Sequence, residues 1–363
     1  MIFIKICVYA ISKNESKFVK RFLESVKDAD YVCVLDTGST DDTFKLLKDG
    51  GAIVKKKVIK PWRFDVARNE SLKLIPQDTD ICICLDLDEV LLPGWRDTLE
   101  KEWQSNTTRM HYIYNWSLDK FDKPIISFYG EKIHSLKGYK WINPVHEILK
   151  YQDDFENIIT SDKLIINHYP DVTKSRSSYL PLLELSVKEN PENDRNMHYL
   201  GREYMYYHRW NESIDTLIKH LNLKNATWKD ERCASMRFIA RCYTNLNRFD
   251  EAEMWLKKAI DEAPHLRDPY VELAILYYNK QDYLNVIKYC EEALKIPINY
   301  RTYINEVFSF DETINDLLSI AYFYSKDLNK SLENAQIALK INPDNERIQD
   351  NLKIIKKQIK GEP

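Results

Sequence analysis

Up to about residue 170, short apolar runs alternate with segments whose apolar side chains recur every three or four positions. Phe18, Phe22 and Val26 recur at intervals of four, which predicts one face of a helix over residues 17–27. The apolar runs between such segments are four to eight residues long, the length of a buried strand. We therefore predict strands at residues 4–11, 31–35, 52–58 and 81–85.

Two further helices are predicted from residues that could cap them. Ser39 or Thr40 is expected to begin a helix that carries Phe44 and Leu47 on its buried face. Asp65 is expected to cap a helix that runs to about residue 74. Strands and helices therefore alternate along this part of the chain. Such alternation indicates an α/β domain with a mostly parallel sheet and helices on both faces. The pattern is less regular later, where further strands are predicted around residues 110–116, 125–128 and 164–168.

After about residue 170 the strand pattern ends and a helical repeat begins. Its most regular copies are offset by 34 residues, one copy upstream is offset by 39, and one downstream by 45. The added residues of the last copy fall at 297–315. The matching positions are Ala240, Tyr243, Phe249, Ala252 and Ala259; Ala274, Tyr277, Tyr283, Val286 and Ala293; Gly201, Tyr204, Trp210 and Ser213; and Tyr322, Leu328, Ser331 and Ala338.

A repeat of this length with small residues at packing positions resembles the tetratricopeptide repeat. Units of that kind stack into an all-α solenoid with a concave face. At about 150 residues per domain, a chain of 363 residues is long enough for two domains. We expect an α/β domain over residues 1–172 and a helical repeat domain over residues 173–363.

Composition excludes several classes of protein. The chain has 53 Lys and Arg against 56 Asp and Glu, so it has no basic excess with which to bind nucleic acid. It has no transmembrane segment, since no apolar run approaches the roughly 20 residues that span a bilayer. The seven cysteines are scattered, and the first four lie in predicted strands. We expect them to be buried, reduced thiols of a cytoplasmic protein.

Acidic side chains follow the predicted strands where ligands bind in α/β sheets. Asp86 and Asp88 come directly after the apolar run 81–85. In an extended segment, alternation would put both carboxylates on the same side, about 7 Å apart. Oxygen ligands of this kind suit Mn²⁺ or Mg²⁺, which bridge to phosphates. No glycine-rich dinucleotide or P-loop motif occurs, so side chains and a metal would have to hold a nucleotide.

Three motifs together resemble glycosyltransferase family 2. They are Ala-Ile-Ser-Lys-Asn-Glu at 10–15, Asp-Thr-Gly-Ser-Thr-Asp-Asp-Thr at 36–43 and Leu-Asp-Leu-Asp-Glu at 85–89. The segments 62–69 and 145–147, followed by the repeats, are similar to a bacterial subgroup that glycosylates proteins or peptides, including flagellin and bacteriocins. The resemblance implies a GT-A fold, a nucleotide-sugar donor, a divalent cation and inverting chemistry.

The resemblance also implies roles for single residues of the donor site. Ile11 and Glu15 would form part of the nucleotide pocket, and Asp36 would accept a hydrogen bond from the pyrimidine N3–H. Arg68 would face the base or the diphosphate, where a guanidinium suits phosphate. Asp86 would lie near the ribose. The metal would be held by Asp88, with His168 as a second group at the metal or the diphosphate.

An inverting transferase needs one base to take the proton of the acceptor, and a carboxylate or an imidazole would serve. Glu147 and His146 are the leading candidates, in a loop that should cross the donor site. Glu131 and Glu89 are alternatives, and His134 has a weaker claim.

The predicted function is transfer of a sugar, from a UDP-sugar, to a protein or peptide acceptor chosen by the repeats. A saccharide or lipid acceptor is an alternative. The sequence also leaves open a nucleotidyltransferase and a non-catalytic repeat scaffold. A homodimer is open as well.

Overall fold

In the computed structural model, which describes residues 4–171, 173, 177–297, 302 and 304–361, strands and helices alternate as the sequence predicts. The chain divides into two units, residues 1–186 and 187–363. The domain boundary predicted after residue 172 falls at a position that lies outside the described residues.

The first unit contains the strands. They are β1 (Ile6–Ser12), β2 (Tyr31–Asp36), β3 (Ile53–Lys56), β4 (Ile81–Cys84), β5 (Glu89–Leu91), β6 (Arg109–Leu118), β7 (Pro124–Ser135), β8 (Tyr139–Ile142), β9 (Ile148–Tyr151) and β10 (Ile158–His168). Its helices are α1 (Ser16–Ser25), α2 (Thr43–Asp49), α3 (Phe64–Leu72) and α4 (Trp95–Glu102), and α5 (Tyr179–Glu189) crosses the boundary.

Within the described residues, eight strands form one sheet in the order β3-β2-β1-β4-β7-β6-β10-β5. Strands β3, β2, β1 and β4 are parallel to one another. Two antiparallel pairings through β7 bring β6 and β10 back to that same direction, and β5 pairs antiparallel with β10. The carboxyl ends of β1, β2, β4, β6 and β10 therefore share one edge of the sheet. A separate hairpin is formed by β8 and β9.

Alternating side chains of β1 divide between two apolar cores, as expected for a sheet covered on both faces. Ile6, Val8 and Ala10 pack on one face with side chains of α1 and α4. Cys7 and Tyr9 pack on the other face with Trp141 and Leu149 of the hairpin. All seven cysteines are free and buried, as predicted.

The predicted strands and helices are confirmed, but their caps are not. Helix α2 begins at Thr43, and its backbone N–H donates to Asp41 (3.0 Å) rather than to Ser39 or Thr40. Ser39 instead accepts from the backbone N–H of Asn14 (2.9 Å), which fastens β1 to β2. Asp65 lies inside α3 and pairs with Arg63. The sequence missed β5, β8 and β9, because three or four residues are too few to show a period.

The second unit is helical, as predicted from the repeats. Its helices are α6 (Asp194–Tyr206), α7 (Trp210–Asn222), α8 (Lys229–Asn245), α9 (Phe249–Glu262), α10 (Asp268–Asn279), α11 (Tyr283–Lys295), α12 (Thr313–Tyr324), α13 (Leu328–Ile341) and α14 (Glu346–Lys360). One 3₁₀ turn, Val307–Ser309, lies between α11 and α12.

Small residues lie where the paired helices of a repeat cross. A Cβ atom built on Gly201 would lie 2.5 Å from the side chain of Leu217, so α6 and α7 approach too closely for a larger residue. Ser213 donates to the carbonyl oxygen of Gly201 (2.7 Å), and Ser331 makes the same bond to Ser319 (2.8 Å). The same contact therefore joins the two helices of the first repeat, α6 and α7, and the two helices of the last repeat, α12 and α13.

No helix in the described part of the chain combines the length and apolarity that crossing a membrane requires.

Candidate active site

The ends of β1 and β2 form one side of the candidate site. Ser12 and Asp36 face each other in the register of the two strands. Asp36 is fully buried, and one of its carboxylate oxygens accepts from the backbone N–H groups of Gly38 (3.0 Å) and Ser39 (2.9 Å). The other oxygen, Oδ2, and the hydroxyl of Ser12 are buried without a hydrogen-bond partner in the described structure. Buried polar atoms are rarely left unpaired, so this pair marks a place for a polar ligand.

The other two residues expected at the nucleotide pocket lie at the same strand ends. Ile11 is buried against Leu35, Ile59 and Ala67. Glu15 is also buried, directly before α1, and its backbone N–H donates to the Thr43 hydroxyl (2.7 Å).

Arg68 connects three elements of the candidate site. It projects from α3, and its guanidinium contacts Asp86 after β4 (2.6 Å) and Glu147 in the β8–β9 loop (3.0 Å). Burial by itself would raise the pKa of Asp86, but the charges of Arg68 and Lys132 outweigh burial and hold that pKa well below its usual range. The structure therefore brings the side chains of Arg68, Asp86 and Glu147 together.

The segment after β4 is a turn and not the extended chain that the sequence analysis expected. The backbone N–H of Glu89 donates to the carbonyl oxygen of Asp86 (2.9 Å), and β5 then pairs with β10. Asp86 consequently lies with Arg68 while Asp88 lies with His168. The two carboxylates contact different partners because the chain reverses between them.

Asp88 and His168 form the candidate metal position. Their side chains lie 3.6 Å apart, between Asp88 Oδ2 and His168 Nε2. The other ring nitrogen, Nδ1, lies 3.1 Å from the carbonyl oxygen of Trp116, and the two aromatic rings stack at 4.8 Å. Burial lowers the pKa of His168, but the nearby Asp88 carboxylate outweighs burial and raises that pKa overall.

One carboxylate and one imidazole fit a cation that takes its remaining ligands from phosphates and water. No group of three His, Cys, Asp or Glu side chains among the described residues is arranged to hold a metal without such help.

The loop between β8 and β9 carries the two leading base candidates. Trp141 fixes the hairpin, because its backbone pairs with the Asn69 side chain and its indole N–H donates to the Tyr9 hydroxyl (3.0 Å). His146 has a positive φ of 49°, and its ring meets that of Tyr179 edge-on at 5.8 Å. Its neighbour Glu147 is the residue that reaches Arg68.

The three weaker base candidates have structural partners. Glu89 is buried and accepts from the Tyr114 hydroxyl (2.7 Å) and from the backbone N–H of Asp86 (2.8 Å). Glu131 pairs with Arg109 (2.8 Å). His134 is fully buried beside the Tyr9 hydroxyl (2.9 Å), and burial lowers its pKa to about 3.

Sequence reasoning missed Lys132, which completes the charged cluster. Its ammonium group lies 2.8 Å from Glu89 and 3.4 Å from Asp86. Burial would lower the pKa of Lys132, but the two carboxylates outweigh burial and raise it well above its usual value. No pattern in the sequence marks this lysine, because it reaches the site only through the antiparallel pairing of β7 with β4.

Comparisons with known proteins match a different kind of domain in each unit. The family model described as glycosyl transferase family 2 matches residues 7–159. A tetratricopeptide repeat model matches residues 238–266, and a model described as the prolyl 4-hydroxylase peptide-substrate-binding domain matches residues 266–361.

Two individual relatives are also named glycosyltransferases. The SPbeta prophage-derived glycosyltransferase SunS of Bacillus subtilis is 29% identical over 304 residues, which cover 77% of this chain and 69% of SunS. An uncharacterized glycosyltransferase of Rickettsia conorii is 35% identical over 115 residues, 31% of this chain and 39% of that protein. The solved structure of Pseudomonas aeruginosa pilF is 12% identical, with a TM-score of 0.38 over 47% of this chain and 70% of that one. The protein is a glycosyltransferase that joins a family 2 glycosyltransferase domain to tetratricopeptide repeats.

Proposed function

We propose that the protein is a metal-dependent, inverting hexosyltransferase that moves a sugar from a UDP-sugar to a protein or peptide acceptor chosen by the repeats. The observation that carries the proposal is the buried Asp36, which has one carboxylate oxygen fixed by two N–H groups and the other unpartnered in the described structure. A fixed acceptor of this kind is matched by a ligand N–H.

The chemistry of the bases selects among nucleotides. Uracil carries a hydrogen on N3, whereas cytosine presents an acceptor there and would face Asp36 with a repulsive lone pair. A site that hydrogen-bonds one ligand group rejects an analogue that lacks it, since the buried carboxylate would then remain unpaired. Ile11 would pack against the base, and Glu15 would lie at the mouth of the same pocket.

The cluster of Arg68 and Asp86 would hold the ribose and the diphosphate. Asp86 keeps its charge beside Arg68 and Lys132, so it can accept from ribose hydroxyls. Arg68 is already paired with two carboxylates, which hold its guanidinium in place, and its remaining N–H groups would donate to the diphosphate.

Asp88 and His168 would hold the divalent cation, with diphosphate oxygens and water as its other ligands. Bound there, Mn²⁺ or Mg²⁺ would supply positive charge against the departing nucleoside diphosphate. A hydrogen bond from His168 Nδ1–H to the Trp116 carbonyl, whose atoms lie 3.1 Å apart, would keep the proton on Nδ1 and leave Nε2 to coordinate the cation.

Glu147 would act as the base. The acceptor atom attacks the anomeric carbon from the side opposite the diphosphate, the bond to the diphosphate breaks, and the acceptor proton passes to the carboxylate. Arg68 orients Glu147 through its Nε group. His146, its neighbour in the loop, is the alternative base.

A peptide acceptor is supported by the repeats. The model that matches residues 266–361 is described as a peptide-substrate-binding domain. The resemblance to enzymes that glycosylate proteins points to the same class. We also propose a cytoplasmic location, which the seven free, buried cysteines support.

The test is a thermal-shift panel of nucleotide sugars with Mn²⁺, followed by product analysis. A UDP-sugar at 100 times its Kd should stabilise the protein by about 2.7 kcal/mol. Slow release of the free sugar would support a transferase. Pyrophosphate exchange would indicate a nucleotidyltransferase, and no binding of any nucleotide sugar would indicate a scaffold.

A further inference from the structure

The chain between the third and fourth repeats turns back onto earlier helices. We call residues 304–310 the return loop. Its main chain is gripped at two points: Arg237 of α8 donates to the carbonyl oxygen of Ile304 (3.3 Å), and Asp268 of α10 accepts from the backbone N–H of Glu306 (2.7 Å). The Asn305 side chain donates to the other oxygen of Asp268 (2.9 Å). The loop thus meets donors and acceptors that would suit any short peptide.

The side chain of Glu306 adds a charged contact. It accepts from Arg241 (2.8 Å) and lies 3.5 Å from Arg237. Both arginines also bind Glu272, at 2.6 Å from Arg237 and 2.8 Å from Arg241. The two helices alone supply two positive and two negative charges, since Asp268 is 3.6 Å from Arg237. Glu306 of the return loop is an additional partner for the guanidinium of Arg241, whose side chain is still 28% exposed.

Apolar side chains anchor the return loop on either side of that acid. Ile304 is buried among side chains that include Met236 and Ile239 of α8. Phe308 packs on the core that contains Val271 and Leu276. The helices that receive the loop, α8 and α10, are the first helices of consecutive repeats, which form the face that solenoids of this kind use for binding.

A cavity continues from the return loop along the same face. It encloses about 460 Å³. Its wall includes Phe308, Arg241 and Glu272, and it extends to Met205 and Trp210 of the first repeat. The return loop therefore occupies one part of a longer binding face.

We propose that the return loop occupies a site at which the repeats bind a peptide ligand. The ligand is a short peptide with an acidic residue between two bulky apolar residues, spaced as Ile304, Glu306 and Phe308 are. A peptide that uses this part of the face has to displace the loop. The inference rests on the proposed function in one respect, since it describes the peptide class that the repeats select.

The test supplies the loop as a separate molecule. In a full-length variant, residues 304–310 are replaced by a Gly-Ser segment of equal length, and the probe is a fluorescent peptide Ile-Asn-Glu-Val-Phe-Ser-Phe. We expect the variant to bind the probe at least tenfold more tightly than the wild-type protein, whose site is occupied. A scrambled peptide should not bind, and a peptide with glutamine in place of glutamate should bind at least fivefold more weakly. The proposal would be overturned if the folded variant did not bind the probe, or if it bound the probe and the scrambled peptide equally.

A second variant covers the case in which the replacement prevents folding. Asn305→Ala with Glu306→Ala removes two anchors and retains the loop. The amide of residue 306 should then exchange its hydrogen at least tenfold faster, and the probe should bind more tightly than it does to the wild-type protein. Unchanged exchange and unchanged binding would overturn the proposal. Neither assay uses a nucleotide sugar, so peptide binding without any sugar transfer would leave this inference standing and refute the proposed function.

Discussion

The two units differ in how completely their buried charged side chains are paired. At the strand ends of the first unit, Asp36 retains a carboxylate oxygen without a partner in the described structure, and the Asp88 side chain contacts a histidine. In the helical unit, the fully buried Arg237 is surrounded by three carboxylates, one of them from the return loop. In our proposal a ligand completes the first arrangement, whereas the chain itself completes the second. Removing a charge should therefore cost function in one unit and stability in the other.

The largest expected effect is on transfer in Asp88→Ala. The diphosphate would lose the cation that opposes its charge, so transfer should fall by about 10³-fold or more. Isothermal titration with UDP should lose its Mn²⁺ dependence. The midpoint of thermal unfolding should change little, because the contact of the Asp88 side chain with His168 is a long one, at 3.6 Å. The exposed Asp49→Ala is the control, and equal activity in the two variants would refute the metal assignment.

Glu147→Gln should lower kcat by roughly 10²–10⁴, the usual contribution of a general base. Affinity for the donor should be unchanged, since glutamine can still accept from Arg68. Single-turnover kinetics with a saturating UDP-sugar would measure the loss. If kcat is unchanged, the role passes to His146, for which His146→Gln is the matched variant.

Arg237→Ala should destabilise the helical unit by about 3–5 kcal/mol, because it leaves the buried Asp268 without its cation and leaves Glu272 with Arg241 alone. Affinity for the UDP-sugar should not change. Urea unfolding followed by circular dichroism measures the difference. Arg248→Ala removes an exposed arginine that pairs with Glu251, and it should cost no more than about 1 kcal/mol. Similar losses in both variants would show that the buried cluster carries no special weight.

Asp36→Asn should weaken UDP binding by about 10- to 100-fold, the effect of one lost hydrogen bond to a buried charged group. The amide would point an N–H at the N3–H of uracil. Binding of CDP should weaken less, since cytosine presents an acceptor at N3. Equal losses for the two nucleotides would contradict the assignment of the base pocket.

The smallest effect sharpens the comparison, because each unit contains a histidine that burial keeps neutral. Burial lowers the pKa of His134 and of His198 from 6.5 to about 3. Between these values the unfolded chain binds a proton that the folded chain does not, so stability falls as the pH falls. Each histidine should contribute about 1.4 kcal/mol per pH unit to that slope. Urea unfolding at pH 7 and pH 5 should show a shallower dependence in His134→Gln and in His198→Gln than in the wild-type protein.

The sequence was sufficient for elements that repeat a pattern. Apolar runs followed by Asp36 and Asp86 predicted strand ends, and parallel pairing brings such ends to one edge. The small residues Gly201 and Ser213 predicted closely packed helix pairs, because a close crossing leaves no room for a larger side chain.

What the sequence could not supply depends on pairing between distant segments. Lys132 enters the charged cluster because β7 runs antiparallel to β4, and nothing in a local window specifies that partner. The turn at Asp86 arises because β5 reverses to pair with β10. The extra residues between the last repeats were recognised as an insertion, but their contacts with Arg237 span 67 positions.

The edges of the large sheet limit how copies of this protein can associate. Strand β3 lies at one edge and ends in lysines, at 55 and 56, with a third at 57. Strand β5 lies at the other edge and is only three residues long. Charged and very short edge strands are poor templates for pairing with another chain. If two copies associate, their sheets should therefore not join into one continuous sheet, and crowding during synthesis should not drive edge-to-edge aggregation.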